Sequence, residues 1–423
     1  MKKDNLSVCL LNDSFPPSID GVANATKNYA DIIQKNHGSS IVVTPQYPGV
    51  TDDYPYPVIR YPSLPTQKLI GFRTGVPIHD NMMMSAIKAE PDIYHSHCPF
   101  TSTIIARALQ RERNSPIVFT YHTKFDIDIQ KLIKNKVLQD VAINFIVDNI
   151  NACDEVWVVS KGAGENLKSL GYKKDYIIME NGVDFPIGKA DALDIQKVSL
   201  QYGINKNKIK FMFAGRMMWY KGIDLILDSL QRLSALGYDF QMVFIGSGLD
   251  MKEITAKTQQ YGLEKKCIFT GSITDRKVLR ALFSACDLLL FPSTFDTNGI
   301  VVREAAACEI PSVLISNSCA AENIVDMETG FIIDKTVESM VAKLELLIKN
   351  PNIIKKVGKN AQERIYISWE DAVAVANNRY HTIIDNYSPK TFNNTDQFTD
   401  KLYNIATNIY EIKNLFRNNQ NLL

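Results

Sequence analysis

Arg216 and Lys221 stand five residues apart in Phe213-Ala-Gly215-Arg216-Met-Met-Trp-Tyr-Lys221-Gly222, where an apolar run gives way to a helical pattern. At the carboxyl end of a strand, a guanidinium fork and a compact ammonium together suit a diphosphate. Further on, Phe291-Pro-Ser-Thr-Phe-Asp296-Thr297-Asn298-Gly299-Ile300-Val-Val-Arg-Glu304 carries one carboxylate in a loop and a second eight residues later in a helix. Loop amides and a helix N-terminus meet phosphate, while carboxylates accept hydrogen bonds from sugar hydroxyls. Gly turns also follow strand-like runs in Phe15-Pro-Pro-Ser-Ile-Asp-Gly21-Val22, Ile245-Gly246-Ser-Gly248 and Phe269-Thr-Gly271-Ser-Ile273. Such turns let backbone N–H groups approach an anion and line the crevice of doubly wound sheets. Taken singly, each is equally a plain turn, and an Arg and a Lys flanking a loop need no ligand.

The elements that must position these residues alternate between strand and helix. Strand-like runs in the first half are Val8–Leu11, Ile41–Thr44, Ile93–His95, Ile117–Tyr121, Glu155–Val159 and Tyr176–Met179, with helical patterns such as Val22–Gln34 and Ser102–Arg111 between them. The second half repeats the pattern with Lys210–Ala214, Gln241–Ile245, Cys267–Thr270, Leu288–Phe291 and Ser312–Leu314, and with the helix Gly222–Leu236. Strand, helix, strand at this spacing predicts an α/β fold with parallel sheets. A length of 423 residues makes two domains the expectation. The break falls near Asn181–Asp184, after which a polar, lysine-rich connector runs through Lys208 and reads as a hinge. The expected domains are therefore 1–183, joined by C-terminal helices from about 368–423, and 184–367.

Hydrophobic residues make up 45% and charged residues 22%, as in ordinary globular proteins, and a net charge of +1 gives no general reason to expect a nucleic-acid partner. The seven cysteines lie scattered without metal-ligand spacing and read as buried thiols of a reducing compartment. The apolar run before Asn12 is too short for a signal peptide, and no later stretch reaches membrane-spanning length, so a cytoplasmic protein is expected.

In this order the motifs resemble those of the large retaining glycosyltransferase family with the GT-B fold, family 4: a Gly loop after the first strand, G-R-x(4)-K-G, and E-x(7)-E followed by small residues. The resemblance runs from about Val8 to Tyr387 and includes Asn181-Gly-Val-Asp184. It implies two Rossmann-like domains facing across a cleft that holds a nucleotide-sugar. By that resemblance Arg216 and Lys221 hold the donor diphosphate, Glu304 binds the ribose hydroxyls and Asp296 lies near the donor sugar. Thr297, Asn298, Gly299 and Ile300 line the sugar and phosphates, with Gly215 and Gly246 beside them, and the stretch containing Gly271 and Ile273 borders the base. Gly21 matches the loop glycine, and His122, in Phe119-Thr-Tyr-His122-Thr123, matches the histidine beside the transferred hexose. One departure stands out: the first acidic position is Asp296, one methylene shorter than the family's Glu.

Other signals carry less. Asp126-Ile-Asp128 spells the D-x-D of a different transferase fold, and these aspartates are expected to cap the following helix. His95 and His97 sit two apart at a strand end without further zinc ligands; His97 is placed on the acceptor side and His95 is read as structural. The pattern Ile129–Ile150, with Lys131, Lys134 and Lys136 beside Ile129, Ile133, Val137, Val141 and Phe145, predicts one helix packed on the core, with contact to an anionic membrane as the alternative. The segment Lys68-Leu-Ile-Gly-Phe-Arg73-Thr-Gly-Val-Pro77 resembles one in family members that glycosylate diacylglycerol, and the tail Asn393–Leu423 carries helical spacing. The resemblance thus implies transfer of a hexose, glucose from UDP-glucose, to a membrane lipid with retention and with neither cofactor nor metal. A saccharide acceptor is the second expectation, and a nucleotide-sugar 2-epimerase or a bilobal solute-binding protein a remoter one.

Overall fold

The computed structural model describes residues 5–18, 20–66, 73–75, 85–86 and 88–391. The tail Asn393–Leu423, and the segment Lys68–Pro77 apart from 73–75, lie outside the described residues. The chain divides into two compact units, one of residues up to Glu180 together with those from Trp369, the other Asn181–Ser368.

The first unit is built on seven parallel strands: β1 (Leu6–Leu11), β2 (Gly38–Pro45), β3 (Val58–Tyr61), β6 (Ile93–Ser96), β7 (Ile117–Tyr121), β8 (Glu155–Val158) and β9 (Ile177–Ile178). Their order is β3-β2-β1-β6-β7-β8-β9, with β4 (Ser63–Leu64) and β5 (Thr74–Gly75) forming a separate antiparallel pair. β6 and β7 are buried along their whole length, as the strands of a sheet covered on both faces must be. The helix Trp369–Asn386 returns to this unit, where Tyr380 stacks on Trp157 of β8 and Arg379 forks onto Glu155 (Nε to Oε1, 2.9 Å).

The second unit carries six parallel strands, β10 (Ile209–Ala214), β11 (Phe240–Ile245), β12 (Cys267–Gly271), β13 (Leu288–Phe291), β14 (Ser312–Ile315) and β15 (Phe331–Ile333), in the order β12-β11-β10-β13-β14-β15. Phe211, Phe213, Phe244 and Leu290 fill its core together with Ile226, Leu230 and Leu233 of the helix Ile223–Ala235, which recur at helical spacing.

Several local expectations need correction. The polar, lysine-rich connector carries a helix absent from the expected elements, Ala192–Tyr202, which buries Val198 and packs against the helix Arg276–Ser284. β3 and β15 were absent from the expected strands, being runs of only four and three residues. The single helix expected over Ile129–Ile150 is two, Phe125–Leu132 and Lys136–Asn151. Ile133 is extended, and Asn135 caps the second helix by accepting from the N–H groups of Val137 (2.9 Å) and Leu138 (3.2 Å). As a result the apolar stripe does not all reach the core. Ile146, Val147 and Ile150 are buried, but Val137, Leu138 and Val141 are 69%, 57% and 53% exposed. Nor does the D-x-D pair cap a helix as expected: the helix starts at Phe125 without a side-chain cap, and Asp126 accepts from Asn166 Nδ2 at 3.3 Å. All seven cysteines are unpaired; six are buried and Cys98 is half-buried.

Candidate active site

In the second unit the strand order reverses between β10 and β13, and the loops at the carboxyl ends of neighbouring parallel strands converge there. The turn after β10 carries Gly215, Arg216 and Lys221, the turn after β11 carries Gly246, and the loop after β13 carries Asp296 to Gly299. The packing between these turns is backbone-tight. Gly246 has φ +136°, and a Cβ there would stand 2.0 Å from the Gly215 carbonyl oxygen. Gly222, at φ +79°, leaves room for the Pro292 carbonyl oxygen, which a Cβ would approach to 2.6 Å. That second approach holds Lys221 against the loop after β13.

Lys221 Nζ donates to Asp296 Oδ1 at 2.5 Å, with side-chain exposures of 9% for Lys221 and 22% for Asp296. The rings of Tyr220 and Phe295 lie 4.6 Å apart, and the ammonium sits 5.7 Å from each centroid. Asp296 Oδ2 is buried without a hydrogen-bond partner among the described residues, and so is Asn298 Nδ2. The Asn298 side-chain oxygen, Oδ1, is already taken by Arg303, whose Nη1 donates to it at 2.5 Å. An orphan acceptor and an orphan donor two residues apart are what a polyhydroxylated ligand satisfies. Gly299 is the N-cap of the helix Ile300–Ala307 and brings no side-chain cap; Val302 N–H donates to the Gly299 carbonyl oxygen at 2.8 Å, and the amides before it, at Ile300 and Val301, are placed to meet an anion. Thr297 and Ile300 are half-buried in this loop and helix start. Arg216 is exposed and has no ion-pair partner among the described residues. At the far edge Gly246 N–H donates to the Gly271 carbonyl oxygen at 2.9 Å, and Ile273 is half-buried against the core.

Glu304 lies on the helix that Gly299 opens. Arg276 Nη2 donates to its Oε1 at 2.6 Å and also to Asp184 Oδ1, while the guanidinium carbon lies 4.4 Å from the centroid of the Phe185 ring. Burial raises the Glu304 pKa, and Arg276 opposes that shift. Arg276 was missed from the sequence, although a signal existed. It is the first residue of a helix that Asp275 caps, a position where the macrodipole disfavours a cation, so something else must hold it there.

In the first unit the expected residues occupy two places. Gly21 opens the helix Gly21–Ile32, and a Cβ there would meet nothing within 4 Å. Asp20 caps this helix, accepting from Val22 N–H (2.9 Å) and Ala23 N–H (2.8 Å), so an anion at this turn competes with a protein carboxylate. His97 follows β6 and His122 follows β7; because these strands pair, Nδ1 of His97 and Nε2 of His122 share a hydrogen bond of 2.9 Å. His95 bonds Tyr380 Oη at 2.6 Å and Thr120 Oγ1 at 2.7 Å, which ties the C-terminal helix to the sheet. Burial lowers the pKa of all three histidines far below the imidazole range, that of His122 to about 3, so the His97–His122 pair is neutral at physiological pH.

These histidines make stability pH-dependent with a definite sign. Their folded pKa values lie below the unfolded value near 6.5, so between these limits the unfolded chain binds more protons and stability falls as pH falls. The slope is at most about 1.4 kcal/mol per pH unit for each fully titrating histidine. Urea midpoints measured from pH 7.5 to 5.5 should decline, and less steeply in His95→Gln; a flat profile contradicts neutral burial.

Two family descriptions match the chain: Glycosyltransferase Family 4 over residues 19–185, and Glycosyl transferases group 1 over residues 194–364. Among similar curated proteins is the alpha-monoglucosyldiacylglycerol synthase of Streptococcus pneumoniae, 20% identical over 388 residues that cover 88% of this chain and 87% of the relative. The enzyme of the same name from Acholeplasma laidlawii is 22% identical over 370 residues, 84% of this chain and 92% of the relative. Among solved structures, Anabaena HepE in complex with UDP-glucose superposes with a TM-score of 0.68 at 17% identity, covering 90% of this chain and 100% of that one. Both matched regions, the two parallel-sheet units and the shared architecture agree with one another: the chain belongs to the glycosyltransferases of family 4 and group 1, has the GT-B fold, and is a hexosyltransferase.

Proposed function

We propose that this enzyme moves glucose from UDP-glucose to the free hydroxyl of diacylglycerol at a membrane surface, with retention at the anomeric carbon. The bond from the anomeric carbon to the β-phosphate oxygen breaks, and the acceptor oxygen bonds to that carbon from the same face. The acceptor proton passes to the departing phosphate oxygen, so no strong general base is needed. Arg216, Lys221 and the uncapped helix start at Ile300 offset the charge developing on the diphosphate without a metal ion. Asp296 Oδ2 and Asn298 Nδ2 take up sugar hydroxyls and Glu304 the ribose. Support for the donor comes from the solved HepE complex with UDP-glucose, and support for the acceptor from the two relatives named as glucosyldiacylglycerol synthases.

One observation on this chain carries the lipid reading. Val137, Leu138 and Val141 are exposed on the first turns of the helix Lys136–Asn151, and Lys134 and Lys136 are exposed next to them. Apolar residues reaching the acyl boundary with lysines at the anionic headgroups would seat this unit on a bilayer. No described helix is long and apolar enough to cross a membrane. The proposed contact is peripheral, and we place it at the cytoplasmic face of the plasma membrane.

The test is release of nucleoside diphosphate from a panel of sugar donors, in EDTA, with and without vesicles of anionic lipid and diacylglycerol. Release from UDP-glucose should rise with vesicles and be accompanied by a glycolipid. Replacing Val137, Leu138 and Val141 by Ser should weaken vesicle binding by about 30- to 100-fold, corresponding to about 2–3 kcal/mol of lost apolar burial. Release without lipid should stay unchanged in that variant. Vesicle-independent turnover with a saccharide acceptor contradicts the lipid reading, and no release from any donor favours the epimerase.

A further inference from the structure

Among the described residues, Glu304 is held by Arg276, and the recorded hydrogen bond and ion pair both use Oε1. Arg276 is itself fixed on three sides: by Glu304, by Asp184 from the chain segment that enters this unit, and by the Phe185 ring under its guanidinium plane. Two carboxylates from distant parts of the sequence thus converge on one cation, and the less exposed of them, at 14% against 43%, is Glu304, on the helix that follows the loop after β13. Such an arrangement exceeds what a surface ion pair needs. It orients a buried carboxylate through one oxygen and leaves the other with open valence.

We propose that Arg276 is a positioning residue that sets nucleotide selectivity: it fixes Oε1 of Glu304 and leaves Oε2 to the ribose diol, so the site discriminates ribonucleoside from 2′-deoxyribonucleoside diphosphates. This rests on the donor-site reading above, in which Glu304 meets the ribose. The selectivity belongs to the pair and not to Glu304 alone. Without the guanidinium, Glu304 is free to rotate and is repelled by Asp184. The buried carboxyl also loses the cation that opposes its raised pKa, so its protonated form persists to higher pH. A protonated carboxyl offers fewer acceptors to a diol than a carboxylate does.

The experiment is calorimetric titration of the full chain and of Arg276→Gln and Arg276→Lys with UDP, GDP and their 2′-deoxy counterparts, between pH 6 and 9. The unsubstituted protein should prefer its ribonucleotide by about 10-fold or more, the scale of an unpaired buried polar group. In Arg276→Gln the ribonucleotide should weaken by about that factor while the deoxy counterpart changes little, so that the preference collapses. Ribonucleotide binding by this variant should also strengthen as pH rises, because deprotonating Glu304 restores the acceptor. Arg276→Lys, which keeps one charged contact, should recover part of the preference. Equal losses for both nucleotides in Arg276→Gln, with no change of pH dependence, overturn the proposal and leave the donor reading intact. An unsubstituted protein that binds neither UDP nor GDP overturns the donor reading itself, and the proposal with it.

Discussion

Replacing Lys221 with alanine is expected to lower kcat/KM for sugar transfer by about 10²- to 10³-fold, the usual consequence of removing a preorganised group that meets charge only as it develops. The Lys221 side chain is 9% exposed, and its ammonium lies beside the ring pair of Tyr220 and Phe295 and is fixed by Asp296, so it reorganises little when the diphosphate departs. Truncation also leaves Asp296 without its cation. Since Asp296 retains 22% side-chain exposure, the accompanying loss of stability should be about 1–3 kcal/mol, below that of a fully sealed pair. The double variant Lys221→Ala, Asp296→Asn separates the two effects: urea midpoints should recover, whereas steady-state transfer should not. Near-normal turnover in Lys221→Ala would remove the diphosphate role.

The second large effect runs in two directions at once. Asp296 neutralises the cation that the diphosphate must use, so the two anions compete for Lys221. Asp296→Asn, nearly isosteric, removes that competitor, and the affinity for UDP should rise by about 10-fold, a change near 1.4 kcal/mol. Transfer should nevertheless fall by about 10- to 100-fold. The buried Oδ2 has no hydrogen-bond partner among the described residues, and an amide cannot supply a charged acceptor for the hexose hydroxyl it is placed to receive. Calorimetry with UDP and turnover measurements with the sugar donor give the two constants. Tighter UDP binding with unimpaired transfer would show that Asp296 is only a counter-ion, and weaker UDP binding would show that it does not compete with phosphate.

How much of this was legible in the sequence depends on how local each feature is. Strands such as Ile117–Tyr121 and Leu288–Phe291 read correctly because covered parallel sheets demand continuous apolar runs. The helix Ala192–Tyr202 was hidden in a polar connector because it buries only Val198 over about three turns and leaves Leu193 and Leu200 at the surface. The break at Ile133–Asn135 was overridden in the reading by an apolar stripe that ran straight through it. Asn135 was the signal, an N-cap residue in the middle of the supposed helix.

The same division holds for the site. G-R-x(4)-K and the paired acids announce themselves by spacing, and strand order places both at one switch point. That Lys221 would spend its charge on Asp296, or that Arg276 would grip Glu304, depends on contacts between segments 75 and 28 residues apart, which no spacing rule supplies. The pairing of His97 with His122 was likewise invisible until β6 and β7 were known to be neighbours.

The measurement that bears most directly on the central claim is the structure of the product. The full chain should be incubated in EDTA with UDP-glucose and vesicles containing diacylglycerol, and the glycolipid examined by proton NMR at its anomeric position. The prediction is a glucosyl-diacylglycerol with the same α configuration as the donor, formed in step with UDP release. A β-linked product would contradict retention, and UDP release without glycolipid would contradict the lipid acceptor.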